Sequence, residues 1–211
     1  MTKMSLPNVL NLLGVTGKED VHTNLFKYCI EHSPQFRNSF FASVLGWPTD
    51  TELSDVRTRL SLRGIGVPDI VVSGTHGRRK RLGVVEVKLH AEEGHDQTTR
   101  YASKECFHEI CEAFELEKDD LTATDLVFFT LYPDQFPDNE DFRPVCIKGF
   151  ATELTRHPIN DDPTAAMLLC SWTDCLNEFY EGENLDDNDS LGHKLNGGGQ
   201  LGSGFLAFST F

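Results

Sequence analysis

The chain has 211 residues, 39% of them apolar and 25% charged, with a formal net charge of −14. That length and apolar share suit one domain with a buried core, and no apolar run is long enough for a transmembrane helix. So acidic a balance argues at first against a nucleic-acid partner. Met1 to Gly14 carries an apolar stretch but little basic charge and no small-residue cleavage site, so it reads as mature protein rather than a signal peptide. Thr16-Gly17-Lys18-Glu19 has the form of a capping box, and Val21, Leu25, Tyr28 and Cys29 follow at helical spacing up to Ser33-Pro34. A second helical stretch with Phe36, Phe40, Phe41 and Leu45 stops at Gly46-Trp47-Pro48.

The period then changes to two. Val56, Thr58, Leu60 and Leu62 alternate with Arg57, Arg59, Ser61 and Arg63, the pattern of a half-buried strand with a basic outer face. Gly64 and Gly66 turn the chain into a second strand, Asp69 to Ser73, and Gly74-Thr75-His76-Gly77 has hairpin-loop composition. Leu82 to Leu89 is apolar on both faces and predicts a central strand. Beyond Glu92-Glu93-Gly94, residues 95–114 predict a helix, 126–131 a fourth strand, 146–151 a further strand and 163–180 a last helix. Residues 1–180 thus read as one domain, and the Asp/Asn/Gly-rich 181–211 as a flexible acidic tail. The order helix, three strands, helix, strand makes an α/β fold, with a mixed central sheet flanked by helices.

Six cysteines occur without a CxxC pair, which favours free thiols and a reducing, cytoplasmic setting. The charge is unevenly placed. Residues 1–53 hold 4 basic and 5 acidic side chains, residues 54–104 hold 10 and 6, and residues 105–211 hold 5 and 22. The middle segment is the one positive stretch, and it contains the residues with the most chemistry in them.

Those residues are Pro68-Asp69, Glu86-Val87-Lys88, Gln97 and Tyr101. Glu86 and Lys88 alternate on one strand and so share a face. A hairpin would bring Asp69 beside Glu86. Two carboxylates from neighbouring strands suit Mg²⁺ or Mn²⁺, with the Val87 backbone C=O as a further oxygen ligand. The Lys88 ammonium could orient an attacking water or offset charge on a pentavalent phosphorus. Taken singly, Pro-Asp is a common turn and Glu-x-Lys a common surface pair. Within Gly83-Val84-Val85-Glu86-Val87-Lys88-Leu89, however, the charges lie in the most apolar strand, where they need pairing or a metal.

The ordered set resembles the PD-(D/E)xK nuclease superfamily, over about residues 15–132. The resemblance implies a restriction-endonuclease-like αβββαβ core and a metal-dependent phosphodiesterase, with Asp69 and Glu86 as ligands and Lys88 as the catalytic lysine. Gln97-Thr98-Thr99-Arg100-Tyr101 resembles the QxxxY motif of RecB-like branches. Spaced i and i+4, Gln97 and Tyr101 share a helix face and would organise the site. Many members also carry a glutamate on the first helix near the metal. Glu19 fits that role, ahead of the rival role of capping residue.

Some RecB-like members hold an iron–sulfur cluster, but the cysteine set here is not spaced for one, so none is expected. No histidine spacing suits zinc, and His22 and His95 read as surface residues, Cys29 as core. Arg78, Arg79, Lys80, Arg81 and Arg100 are candidate phosphate contacts. The expected partner is nucleic acid, DNA ahead of RNA, with no membrane and with a homodimer compatible with cutting both strands. A second reading, from another class, is a nuclease-fold interaction module in a defence or toxin assembly. It would be weak or inactive alone and would bind a protein through the acidic C-terminal half. A nucleotide-binding reading lacks a Gly-rich phosphate loop, since Gly197-Gly198-Gly199 lies in the tail.

Overall fold

The computed structural model describes residues 8–89, 93–117 and 121–181. Among these, five strands form one mixed sheet with helices on both faces. The chain runs α1 (Val9–Leu13), α2 (Glu19–His32), α3 (Pro34–Phe40) with a π-helical continuation Phe41–Leu45, β1 (Glu52–Thr58), β2 (Ile70–His76) and β3 (Arg79–Lys88). It continues through α4 (Gln97–Tyr101), α5 (Lys104–Ala113), β4 (Leu121–Thr130), β5 (Arg143–Cys146), α6 (Ile147–Arg156) and α7 (Pro163–Glu181). Sheet order follows chain order. β1, β2 and β3 form an antiparallel meander, and β4 and β5 add in parallel to β3.

β3 is central, as its apolar pattern predicts. Val85, Val87 and Leu89 face a core shared with α2, α3, α6 and α7, where Phe26, Phe40, Phe129, Phe150 and Trp172 interlock. The Phe26 and Trp172 rings meet edge to face at 5.0 Å between centroids. Leu82 and Val84 point to the opposite face and pack with Val71, Phe128 and the α5 side chains Cys106 and Ile110. Glu86 and Lys88 are the next residues on that second face.

Several expectations are corrected. β2 does not stop at Ser73 but runs to His76, which pairs with Arg79, so the hairpin turn is only Gly77-Arg78. Gly74 lies in the strand, paired with Leu53 and Arg81, and is glycine because a Cβ there would come within 2.9 Å of the Thr51 side chain. β1 ends at Thr58, and Arg59 adopts φ 54° and turns away. Arg57 and Arg59 therefore do not share one basic face: Arg57 lies over the Phe114 ring, whereas Arg59 pairs with Asp20 on α2. The helix expected over 95–114 breaks at Ala102-Ser103, where the Ser103 hydroxyl caps α5 by accepting from the Cys106 N–H.

The strand expected over 146–151 is instead the end of β5 followed by α6. Its buried residues Ile147, Phe150, Ala151 and Leu154 have helical spacing. The capping box is also absent. α2 begins at Glu19 itself, with Lys18 at the N-cap and no side-chain cap. His22 is fully buried rather than on the surface. It accepts from the Trp172 indole N–H at 2.9 Å, which leaves its Nε2–H to donate to the Thr16 carbonyl at 2.7 Å. His95 is exposed and Cys29 is core, as read. None of the six cysteines, all among the described residues, forms a disulfide, and burial pushes the Cys29 thiol, also raised by Asp162, up to about 12. Among the described residues no helix is long and apolar enough to cross a membrane. The proposed tail, apart from Glu181, lies outside the described residues.

Candidate active site

The site forms where β2 starts late. Ile70 pairs with Val85, so the last three residues of β3 have no strand partner on that side. Backbone groups of alternate residues point to the same edge. Val87 N–H and Leu89 N–H are thus both left without a ladder bond. Two carboxylates take them: Asp69 Oδ2 accepts from Val87 N–H at 2.8 Å, and Glu19 Oε1 accepts from Leu89 N–H at 2.9 Å. The Val87 C=O points to the same edge, between the two N–H groups. Asp69 and Glu19 thereby stand in for the missing strand and converge on one backbone carbonyl.

Glu86 completes the cluster from the face above. Its side chain is almost wholly buried, with 2% exposure. Glu86 Oε1 accepts from Lys88 Nζ at 2.8 Å and from Gln97 Nε2 at 2.6 Å. Glu86 Oε2 is buried without a hydrogen-bond partner. A buried, unpaired carboxylate oxygen is costly and calls for an explanation.

Gln97 and Tyr101 both take part, as their i, i+4 spacing suggests. Gln97 Nε2 reaches the Tyr101 hydroxyl at 3.3 Å as well as Glu86. The Tyr101 hydroxyl also accepts from Val67 N–H at 3.0 Å, two residues before Asp69. The ring packs directly on Gly66, where an added Cβ would come within 2.9 Å of it. Tyr101 is therefore a positioning residue: it fixes the segment that delivers Asp69. The Glu93 carboxylate accepts from Thr98 N–H at 2.5 Å and from Asp138 N–H at 2.8 Å, which ties the start of α4 to the segment after β4. Nothing in the sequence pattern singled out Glu93 for this role.

The electrostatics are strained. Burial, and then the charge of Asp69, push Glu86 up to about 8. Burial raises Asp69 to about 6, with Glu19 adding to the rise, against the lowering pull of Val87 N–H, of Lys88 and of a hydrogen bond with the Glu86 carboxyl group. Burial alone would lower Lys88, but Glu86, Glu19 and Asp69 outweigh it, so its ammonium is held. One ammonium thus faces three carboxyl groups, two of them pushed toward the protonated form.

A divalent cation fits this donor set. Glu86 Oε2, the second oxygen of half-buried Asp69 and the Val87 carbonyl are hard oxygen donors in a site crowded with carboxyl groups. Among the described residues no three His, Cys, Asp or Glu side chains stand together as a ready-made metal-holding group. Mg²⁺ does not require one, because it binds through one or two carboxylates and keeps several waters.

The basic run is placed elsewhere. Arg78 occupies the β2–β3 turn, and Lys80 lies six residues along β3 from Glu86, about 20 Å at the rise of a strand. Arg81 is not a free phosphate contact. It pairs with Asp125 at 3.1 Å and lies over Trp47. Arg100 is exposed on α4 beside Tyr101. No family model, curated protein or solved structure matches this chain.

Proposed function

We propose that the protein is a Mg²⁺- or Mn²⁺-dependent nuclease with a restriction-endonuclease-like αβββαβ core, hydrolysing phosphodiester bonds of DNA. The observation that carries this reading is the pair of carboxylates, Asp69 and Glu19, on the unpaired edge of β3, next to the buried Glu86–Lys88 pair on the face of the same strand. Such an excess of buried like charge destabilises a fold and is explained by a ligand that neutralises it. The element order α2, β1–β3, α4/α5, β4 and the parallel pairing of β3 with β4 support the same core.

Asp69 and Glu86 would hold the metal, with the Val87 carbonyl and Glu19 completing the oxygen set. A bound divalent cation supplies Lewis acidity toward the phosphoryl oxygen and a more acidic water. Lys88 presents its ammonium to the attacking water or to a phosphoryl oxygen, offsetting charge as phosphorus gains a fifth oxygen and the P–O bond to the leaving alkoxide breaks. Gln97 holds Glu86 Oε1 and so leaves Oε2 for the metal. The test combines Mn²⁺-dependent thermal stabilisation with plasmid and oligonucleotide cleavage, on wild type and Asp69→Asn. Stabilisation and cleavage that both vanish in the variant support the nuclease. Metal binding without cleavage would favour the interaction-module reading, and no metal effect at all would overturn the metal centre.

A further inference from the structure

A cavity of about 450 Å³ opens beside the site, on the same face of the sheet. Tyr101 is its wall toward Glu86. Val84, two residues before Glu86 and on the same face, is part of its floor, about 7 Å along the strand. Phe107 and Leu126 extend the apolar floor, and Lys104, Thr124 and Asp141 stand at the rim. The rim is fixed on the side of the loop after β4. Asn139 N–H donates to Thr98 Oγ1 at 3.1 Å, and Asn139 Oδ1 accepts from Asp141 N–H at 2.8 Å.

We propose that this cavity receives one unstacked nucleobase of the substrate strand, next to the phosphate that is cut. The inference rests on the nuclease reading and adds a substrate class to it: single-stranded nucleic acid or a frayed duplex end, in which a base is free to leave the stack. The match is chemical. A base has flat apolar faces and a polar edge, and the cavity has an apolar floor with an aromatic ring and a polar rim. A carboxylate accepts from an exocyclic amino group, and an ammonium or hydroxyl donates to ring nitrogens and carbonyls. The shared wall places the occupant adjacent to the carboxylate cluster. Lys104, exposed at the start of α5, meets the phosphate that follows.

The test uses the full chain with Ca²⁺ and single-stranded oligonucleotides carrying 2-aminopurine at successive positions. Thr124→Trp fills the cavity from an exposed strand position, away from Glu86 and Lys88. Lys104→Ala is a second, milder variant. The fluorescence of 2-aminopurine at one position should change on binding to wild type. Thr124→Trp should abolish that change and weaken binding by about tenfold, the scale of losing one stacked base. Removing the base at that position should weaken wild type by a similar factor and leave Thr124→Trp unaffected. Equal responses at every position, or an unaltered response in both variants, would overturn the pocket assignment. Cleavage in Mn²⁺ is scored separately. Cleavage indifferent to the missing base retains the nuclease and discards the pocket, whereas position-specific binding without any cleavage retains the pocket and discards the nuclease.

Discussion

The two ends of β3 carry charge in opposite ways. At the start of the strand Arg81 meets Asp125 at 3.1 Å, Asp125 also accepts from the Trp47 indole N–H at 2.6 Å, and the guanidinium lies over the Trp47 ring. One cation has one anion, and both side chains keep partial solvent exposure. At the far end Lys88 faces Glu86, Asp69 and Glu19, and the Glu86–Lys88 pair is nearly dry. Each end leaves one buried atom without a partner, Arg81 Nε and Glu86 Oε2. The first belongs to a cation with its countercharge in place. The second belongs to a carboxylate pressed against another carboxylate. Matched charge explains itself as structure, whereas mismatched charge held at a cost points to a ligand.

The largest effect should separate the two ends outright. Lys88→Ala is expected to reduce cleavage by about 10²–10³-fold or more, the scale of removing one donor to a charged transition state. Arg81→Ala should leave cleavage within a few-fold of wild type and cost only stability. Activity measured per folded molecule, with folding checked by circular dichroism, decides this. Comparable losses in both variants would erase the distinction.

Next comes pH. Asp69 and Glu86 are raised above their ordinary values of 3.8 and 4.5, to about 6 and about 8. The folded state therefore holds protons that the unfolded state releases. For such groups stability is greatest at low pH and is lost as pH rises from the unfolded value through the folded one. Metal-free protein should melt at higher temperature near pH 6 than near pH 8.5, and each kcal/mol moves Tm by about 2–4 °C in a domain of this size. Mn²⁺ should remove most of that slope, and so should Glu86→Gln without metal. A metal-free melting temperature that rises between pH 6 and 8.5 would contradict the crowded-carboxylate account.

That Glu86, Lys88, Gln97 and Tyr101 lie together was legible because it needs only alternation and order. Glu86 and Lys88 share a face by strand periodicity, and Gln97 and Tyr101 do so by helix periodicity. What the sequence hides is the register. That β2 starts opposite Val85, and so leaves two N–H groups for Asp69 and Glu19, is a tertiary fact with no local signal. For the same reason Glu19 could not be told from a capping residue. The elements misread share a cause. Gly74 looks like a loop residue until Trp47 and Thr51 are seen packing where a Cβ would sit. Cys146 to Ala151 shows no clear helical face until Leu154 extends the pattern. His22 looked exposed because its partner, Trp172, lies 150 residues away.

Glu19 gives a mid-sized test of that hidden register. Glu19→Gln keeps an oxygen for Leu89 N–H and removes the charge. It should fold like wild type and bind Mn²⁺ about tenfold more weakly, in the range seen when support to a metal site is altered. Glu19→Ala also orphans the N–H and should cost about 1 kcal/mol further in stability. If Glu19→Gln binds Mn²⁺ as wild type does, the residue only patches the strand edge.

The smallest expected effect probes positioning. Tyr101→Phe removes the acceptor for Val67 N–H but leaves the ring on Gly66. Trp47→Phe removes the donor to Asp125 at the other end of the strand. Tyr101→Phe loses the Val67 bond together with the longer 3.3 Å bond from Gln97 Nε2, and Trp47→Phe loses its one hydrogen bond, so each should cost about 1 kcal/mol. Only the first bond lies on the path to Asp69. Tyr101→Phe should therefore weaken Mn²⁺ binding and cleavage by a few-fold, and Trp47→Phe should change neither. Equal stability costs with unequal metal affinities would show that the same bond does different work at the two ends. Equal metal affinities would mean that the Pro68-Asp69 segment is held by its own turn and by the Arg59 N–H to Asp69 C=O bond, leaving Tyr101 as packing alone.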